Sequence, residues 1–192
     1  MKNIKAAIET LVPGALYNDN LSWVNGRVSE ITYEDYQNLE WHDERDKPTW
    51  EELGQQCFDL LKEQKLKDVD DYREYKLTEL LPYEFPNKEG HIQLRNERDN
   101  LNILYNFNKA QVLKSREENK IIKFRDYENI NHELTPDEMI DMCLSIFDRN
   151  MEIHNISWQI KEEIKQFEFD LEDMEGSYMT LYNYDISEEW NE

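Results

Sequence analysis

The chain has 192 residues, with 22 Lys and Arg against 43 Asp and Glu, for a formal charge of −21. Binding a phosphate backbone or an anionic membrane surface needs clustered cations, so this balance excludes a general nucleic-acid or lipid-surface role and favours basic partners. A hydrophobic fraction of 39%, including 12% aromatic residues, is too rich for a wholly disordered chain and suffices for one substantial domain or two small ones.

The segment 1–47 reads as a small β-rich module. Ile4, Ile8 and Leu11 form a short helical face that Pro13-Gly14 breaks. Asn25-Gly26, between Leu21/Trp23 and Val28/Ile31/Tyr33, is a hairpin signal, and Leu39-Glu40-Trp41 reads as a further short strand. A helical connector spans 48–86. Thr49 and Glu52 form a capping box, and Leu53, Cys57, Leu60 and Leu61 follow at helical spacing to about Lys65. A further helical turn is expected from Asp68. Pro82 and Pro86 then mark an exposed connection and a domain boundary.

The segment 87–167 reads as mainly helical. A charged helix is expected at Leu94–Leu101, a strand at Ile103–Phe107, a turn at Asn108–Ala110, and a second capping box at Ser115–Glu118 opening a helix through Ile121, Ile122 and Phe124. Thr135-Pro136-Asp137-Glu138 is the strongest helix start in the chain. From there Ile140, Leu144, Phe147, Met151, His154 and Trp158 recur at spacings of four and three. Without an internal Pro or Gly the helix runs to about Phe167, roughly 45 Å. That length suits either a stripe packed on a second chain or a stalk, or one long helix on its own domain. The acidic stretch 168–192 has no Lys or Arg and holds Tyr178, Tyr182 and Tyr184. Ser177–Ile186 reads either as a strand that adds to another chain's sheet or as a solvating tail.

The fold class expected is therefore α+β, a β-rich N-terminal module followed by a mainly helical domain with one long helix. Cys57 and Cys143 lie in apolar helical patterns and are expected to be free, buried thiols of a reducing cytoplasm. Met1–Glu9 lacks a signal-peptide apolar run, and no stretch nears the roughly 18 apolar residues of a membrane span. The sequence holds no phosphate loop, zinc spacing, calcium loop or nucleophile elbow, and no catalytic residue, metal or cofactor is expected. His42-Asp43-Glu44 is a weak acid–base or metal cluster. Lys109, Lys114, Arg116, Lys120, Lys123 and Arg125 form the one basic cluster, a solvated face or a contact for an acidic patch. The interface candidates are Ile140, Leu144, Phe147, Met151 and Trp158 on the helix stripe, with Trp23, Trp41 and Trp50 as aromatic anchors and Tyr178, Tyr182 and Tyr184 in the C-terminal arm.

Ala6-Ala7-Ile8, Leu11–Ala15, Leu39-Glu40-Trp41 and Lys47–Leu53 together resemble the N-terminal module of small tailed-phage proteins. Leu94-Arg95, Arg98-Asp99, Tyr105-Asn106-Phe107, Val112–Arg116 and Leu134–Met139, leading to His154 and Trp158, resemble a phage domain of unknown function found in tail fibre and tail accessory proteins. The resemblance covers most of residues 4–167; residues 68–85 and the acidic tail depart from it. It implies a virion structural protein of the tail or its fibre-attachment apparatus, a homo-oligomer or hetero-complex with other phage structural proteins, present in the host cytoplasm during assembly. No small-molecule substrate is implied. The competing expectation, carried by the acidity alone, is a DNA mimic that inhibits a host nuclease or DNA-binding protein.

Overall fold

The computed structural model describes residues 4–17, 23–24, 27–28, 32–86 and 88–190. In chain order the elements are α1 (Ile4–Leu11), β1 (Trp23–Val24), β2 (Arg27–Val28), α2 (Tyr33–Gln37), α3 (Trp50–Thr78), β3 (Leu81–Phe85), β4 (Lys88–Ile92), α4 (Glu97–Ser115), β5 (Ile122–Arg125), β6 (Asn131–Leu134), α5 (Pro136–Gln166), α6 (Met174–Asn183) and a 3-10 turn at Glu188–Trp190. The class is α+β, and each strand pair among the described residues is a separate antiparallel hairpin. Residues 1–69 and 160–192 form one compact unit and residues 70–159 the other. The segments 1–47 and 168–192 thus fall in one unit, while 48–86 and 87–167 each contribute to both.

Among the described residues of the first unit the N-terminal stretch is helical rather than the β-rich module expected. Helices α1 and α2 occupy that stretch, with β1 and β2 pairing over two residues each, Trp23 with Val28 and Val24 with Arg27. The Asn25-Gly26 turn lies outside the described residues. The expected strand at Leu39–Trp41 reduces to one bridge between Trp41 and Tyr17. The physical reason is local: Thr32 and Asp35 cap each other reciprocally and start a helix, and burial of Tyr36 and Leu39 on one side of that turn fixes it. Gly14 ends the α1 segment with φ +67°, as the Pro-Gly break predicts.

Helix α3 opens on the expected capping box, Glu52 N–H to Thr49 Oγ1 at 3.1 Å and Thr49 N–H to Glu52 Oε2 at 2.7 Å. It continues without interruption through Asp68, so the break near Lys65 does not occur. Gly54 in its second turn is a close-approach site: a Cβ there would meet the Phe169 ring at 2.9 Å and Met174 Sδ at 3.1 Å. The C-terminal stretch packs on this spot. It is helical at α6, with Tyr178 and Leu181 buried, rather than the strand or solvated tail expected for Ser177–Ile186. Asp173 caps α6 by accepting from Gly176 N–H, and the four-residue separation of Tyr178 and Tyr182 stacks their rings at 6.3 Å.

The second unit has an apolar core of Phe85, Ile92, Leu94, Ile103, Ala110, Leu113, Ile122, Leu134, Met139, Met142, Cys143 and Ile146. Pro82 and Pro86 are exposed, as expected, but belong to a hairpin and its turn rather than to a connection. Pro82 lies inside a two-stranded hairpin, opposite His91, where a missing N–H costs no inner ladder bond. The strand and turn expected at Ile103–Ala110 are both helix. Asn96 caps α4 by accepting from Arg98 and Asp99 N–H, and Ile103, Phe107 and Ala110 repeat on one helical face. The 103/105/107 alternation is incidental, since Tyr105 is 67% exposed. The Ser115–Glu118 box opens no helix: α4 ends there, Glu117 takes φ +57°, and Ile122–Arg125 is a strand paired with Asn131–Leu134.

Helix α5 spans 31 residues, Pro136–Gln166, from a reciprocal Thr135–Glu138 box, matching the expected start and length. The row it buries runs one residue ahead of the interface candidates. Met139, Cys143, Ile146, Ile153, Ser157, Ile160 and Ile164 are buried, and the four-three spacing continues through Asn150, whose Oδ1 is shut off from solvent. Asn150 and Ser157 interrupt this row chemically, so the parallel row one residue later looks more apolar. Both cysteines are buried free thiols, and burial pushes each up to about 11. Ser157 Oγ has no hydrogen-bond partner. Replacing it with Ala removes a desolvated hydroxyl without opening a large space, so Ser157→Ala is expected to stabilise the protein by about 1 kcal/mol. Thermal and urea unfolding of the two proteins check this; a loss of stability would contradict it.

Candidate functional site

The long-helix residues gather on one face. Along α5, Ile140, Leu144, Phe147, Met151 and Trp158 fall within about 60° of one another around the axis. Ile140 and Phe147 are half-buried at the edge of the core, Phe147 against Phe107 of α4 at a ring separation of 5.3 Å. Leu144 is 43% exposed, Met151 56% and Trp158 54%. His154 sits one turn before Trp158 with its ring 5.9 Å away. The row thus has an inner edge that packs and an outer edge that faces water. Asp141, Asp148 and Glu152, all exposed, lie beside the outer edge.

Helix α4 carries a second exposed apolar row that sequence reading missed. Leu101, Leu104, Tyr105 and Val112 are all exposed and lie opposite Ile103, Ala110 and Leu113, which are buried. The signal was available in the helical spacing of these residues, but it disappears once Ile103–Phe107 is read as a strand.

The remaining candidates are separate from these rows. Trp23 pairs with Val28, and its side chain is not described. Trp41 is half-buried, stacks on Tyr17 at 6.1 Å and donates from Nε1 to Arg45 O at 2.7 Å. Trp50 packs edge-on to Tyr33 at 5.6 Å and tilted to Tyr36 at 5.7 Å. Tyr178 is buried, and Tyr184 Oη donates to Glu163 Oε2 at 2.7 Å. Trp41, Trp50, Tyr178 and Tyr184 are packing elements of the first unit. His42-Asp43-Glu44 is not a cluster: Asp43 accepts from Arg45 Nε and from Leu16 N–H, while His42 faces Glu40 at 3.7 Å. The hydrogen bonds from Arg45 hold the Asp43 carboxyl well below the usual carboxylate range. Of the basic cluster, Lys114 pairs with Asp137, Lys120 with Glu118 and Lys123 with Glu133.

A polar knot joins the two hairpins of the second unit. Buried Asp126 accepts from Ile130 N–H at 2.7 Å through Oδ1, and its Oδ2 lies 2.8 Å from His132 Nε2. The His132 ring stacks on Phe85 at 3.7 Å. Two residues on, Glu128 grips β4: Oε2 accepts His91 N–H at 3.1 Å and Oε1 lies 2.6 Å from His91 Nδ1, while Tyr127 N–H donates to His91 O at 2.9 Å. An open cleft of about 740 Å³ lies alongside, lined by Pro82, Tyr83, Glu84, Lys88, Glu89, Gly90, His91 and Glu128. No group of three or more metal-ligating side chains occurs among the described residues. The pairs fasten loop 126–130 to its own hairpin and to β4. The sequence carried one hint of this, His132 sharing a strand face with Leu134.

Burial pushes the Asp126 carboxyl up, but the His132 and Ile130 hydrogen bonds and the His132 charge outweigh it and the net direction is down. The His91 bond likewise lowers Glu128. Both folded values lie below the unfolded ones, about 3.9 and 4.3, so their stabilisation is complete above roughly pH 5 and is lost as pH falls through the folded values. Acid unfolding followed by circular dichroism is expected to show this loss, and Asp126→Asn to flatten it; an unchanged acid limb in that variant would contradict the assignment. Gly90 must stay small, because a Cβ would sit 2.8 Å from Asp126 Oδ2 and 3.1 Å from Phe85. Gly90→Ala is expected to cost about 1–3 kcal/mol in denaturant unfolding.

No helix among the described residues is long and apolar enough to cross a membrane. No curated protein matches the chain, and no solved structure does. Residues 60–180 match a family described as a domain of unknown function, DUF4376. The match covers more than half of the 192 residues, including both hairpins of the second unit, α4 and all of α5. The chain therefore belongs to the DUF4376 family.

Proposed function

We propose that this protein is a structural assembly component of a tailed-phage particle, in the tail or its fibre-attachment region, and that it acts by packing rather than by chemistry. The outer edge of the α5 row carries the assembly reading. Leu144, Met151 and Trp158 present three large apolar side chains to water at successive seven-residue intervals, an arrangement that a helix normally covers. Trp is among the side chains that dominate association energetics when buried at an interface, and Met is enriched there. The particle context rests on the order of short motifs from Ala6 to Trp158 that resembles tailed-phage proteins.

Quantitative mass spectrometry of purified particles tests the context: several copies per particle are expected, and absence from particles would overturn it. The surface is tested with Leu144→Glu and Met151→Glu. Both positions are exposed in the isolated chain, so the melting temperature is expected to hold within a few degrees while incorporation falls by about tenfold or more. Full incorporation of the double variant would remove α5 from the interface.

A further inference from the structure

The second unit carries two exposed apolar helix faces of opposite charge. On α4, Leu101, Leu104, Tyr105 and Val112 form the apolar row, with Arg98, Lys109 and Arg116 along one flank. On α5, Leu144, Met151 and Trp158 form the row, with Asp141 and Asp148 along one flank. In a chain of charge −21, the α4 flank carries three cations and no acid. Among the described residues Arg98, Lys109 and Asp148 form no ion pair within the chain, while Arg116 acts on Glu118 and Asp141 on Lys114 through their charges.

Building on the assembly reading above, we propose that the α4 face of one copy of this chain docks antiparallel on the α5 face of a second copy. Charge complementarity selects the occupant, and helical geometry selects the direction. At 100° per residue, each charged flank lies roughly 70–80° beyond its apolar row in the same rotational sense. Two facing helices bring flanks of the same sense to the same side only when they run antiparallel. In that direction the residues stay in register over three turns. Arg116 falls beside Asp141, Val112 beside Leu144, Lys109 beside Asp148 and Tyr105 beside Met151, because the four-three-four steps on one helix meet three-four-three steps on the other. Repulsion between two acidic copies acts at long range and is screened beyond about 8 Å at physiological ionic strength, whereas pairs in contact persist.

Sedimentation of the full chain at about 0.15 M ionic strength, over a concentration series to ~100 µM, tests the docking. A mass rising above the 23.4 kDa of one chain is expected. Lys109→Glu and Asp148→Lys should each weaken association about tenfold, and the two together should restore it to within about threefold of the original. Circular dichroism of each variant confirms that it folds. Either a dimer that makes the contact twice or a head-to-tail ring supports the inference. A single-chain mass at every concentration overturns it, and so does a double variant no better than the single ones. Particle incorporation separates the two readings: Leu144→Glu that blocks incorporation of a chain that is monomeric alone overturns self-docking and leaves the assembly role standing. Self-association of a chain absent from particles does the reverse.

Discussion

The placement of a few cations on helix carbonyl ends holds this acidic chain together. A helix leaves its last carbonyls without partners, and the aligned peptide dipoles make that end negative. In the first unit Lys47 Nζ donates to Tyr36 O and Leu39 O at the end of α2, Lys62 to Lys165 O and Phe167 O at the end of α5, and Lys65 to Tyr184 O just past α6. In the second, Arg149 of α5 donates from Nη2 to Lys76 O and Glu79 O at the end of α3. Burial lowers the Arg149 pKa, yet a guanidinium keeps its charge at any ordinary pH. Each long helix therefore supplies the cation that closes the other. Four of the 22 basic residues are used in this way, and the acidic excess of the chain follows from its 43 carboxylates.

Helix α5 carries one row of residues that is buried and a parallel row whose outer members face water. The buried row includes Asn150 and Ser157, and the outer row includes Leu144, Met151 and Trp158. A helix selected only for stability would have the reverse arrangement. Leaving a hydroxyl unpaired inside costs stability, and leaving an indole outside invites a partner. The knot around Asp126 complements this. It fixes two short hairpins, each marginal by itself, beside the helices whose exposed faces they accompany.

Much of the helical skeleton was legible from local chemistry. The capping boxes at Thr49–Glu52 and Thr135–Glu138 and the break at Pro13-Gly14 all stand, because a cap is decided by residues within one turn. Periodicity failed where two readings fitted the same few residues. Ile103–Phe107 alternates like a strand and yet lies on a helix, and Ser177–Ile186 has strand-like tyrosines yet coils against Gly54 and α3. The candidate surface was half legible: the apolar row from Ile140 to Trp158 was identified on α5, but the exposed row of α4 was not.

By itself the sequence determined where helices α3 and α5 begin, that both thiols would be free and buried, and that the chain is acidic with its cations in a minority. Those properties depend on composition and on contacts a few residues apart. Only the tertiary structure decided which of two parallel rows of α5 faces inward, that the C-terminal stretch folds back as a helix, and that Asp126, Glu128, His91 and His132 meet. Such outcomes depend on packing between residues tens of positions apart, where a neighbour's volume and hydrogen-bonding groups outweigh local preference.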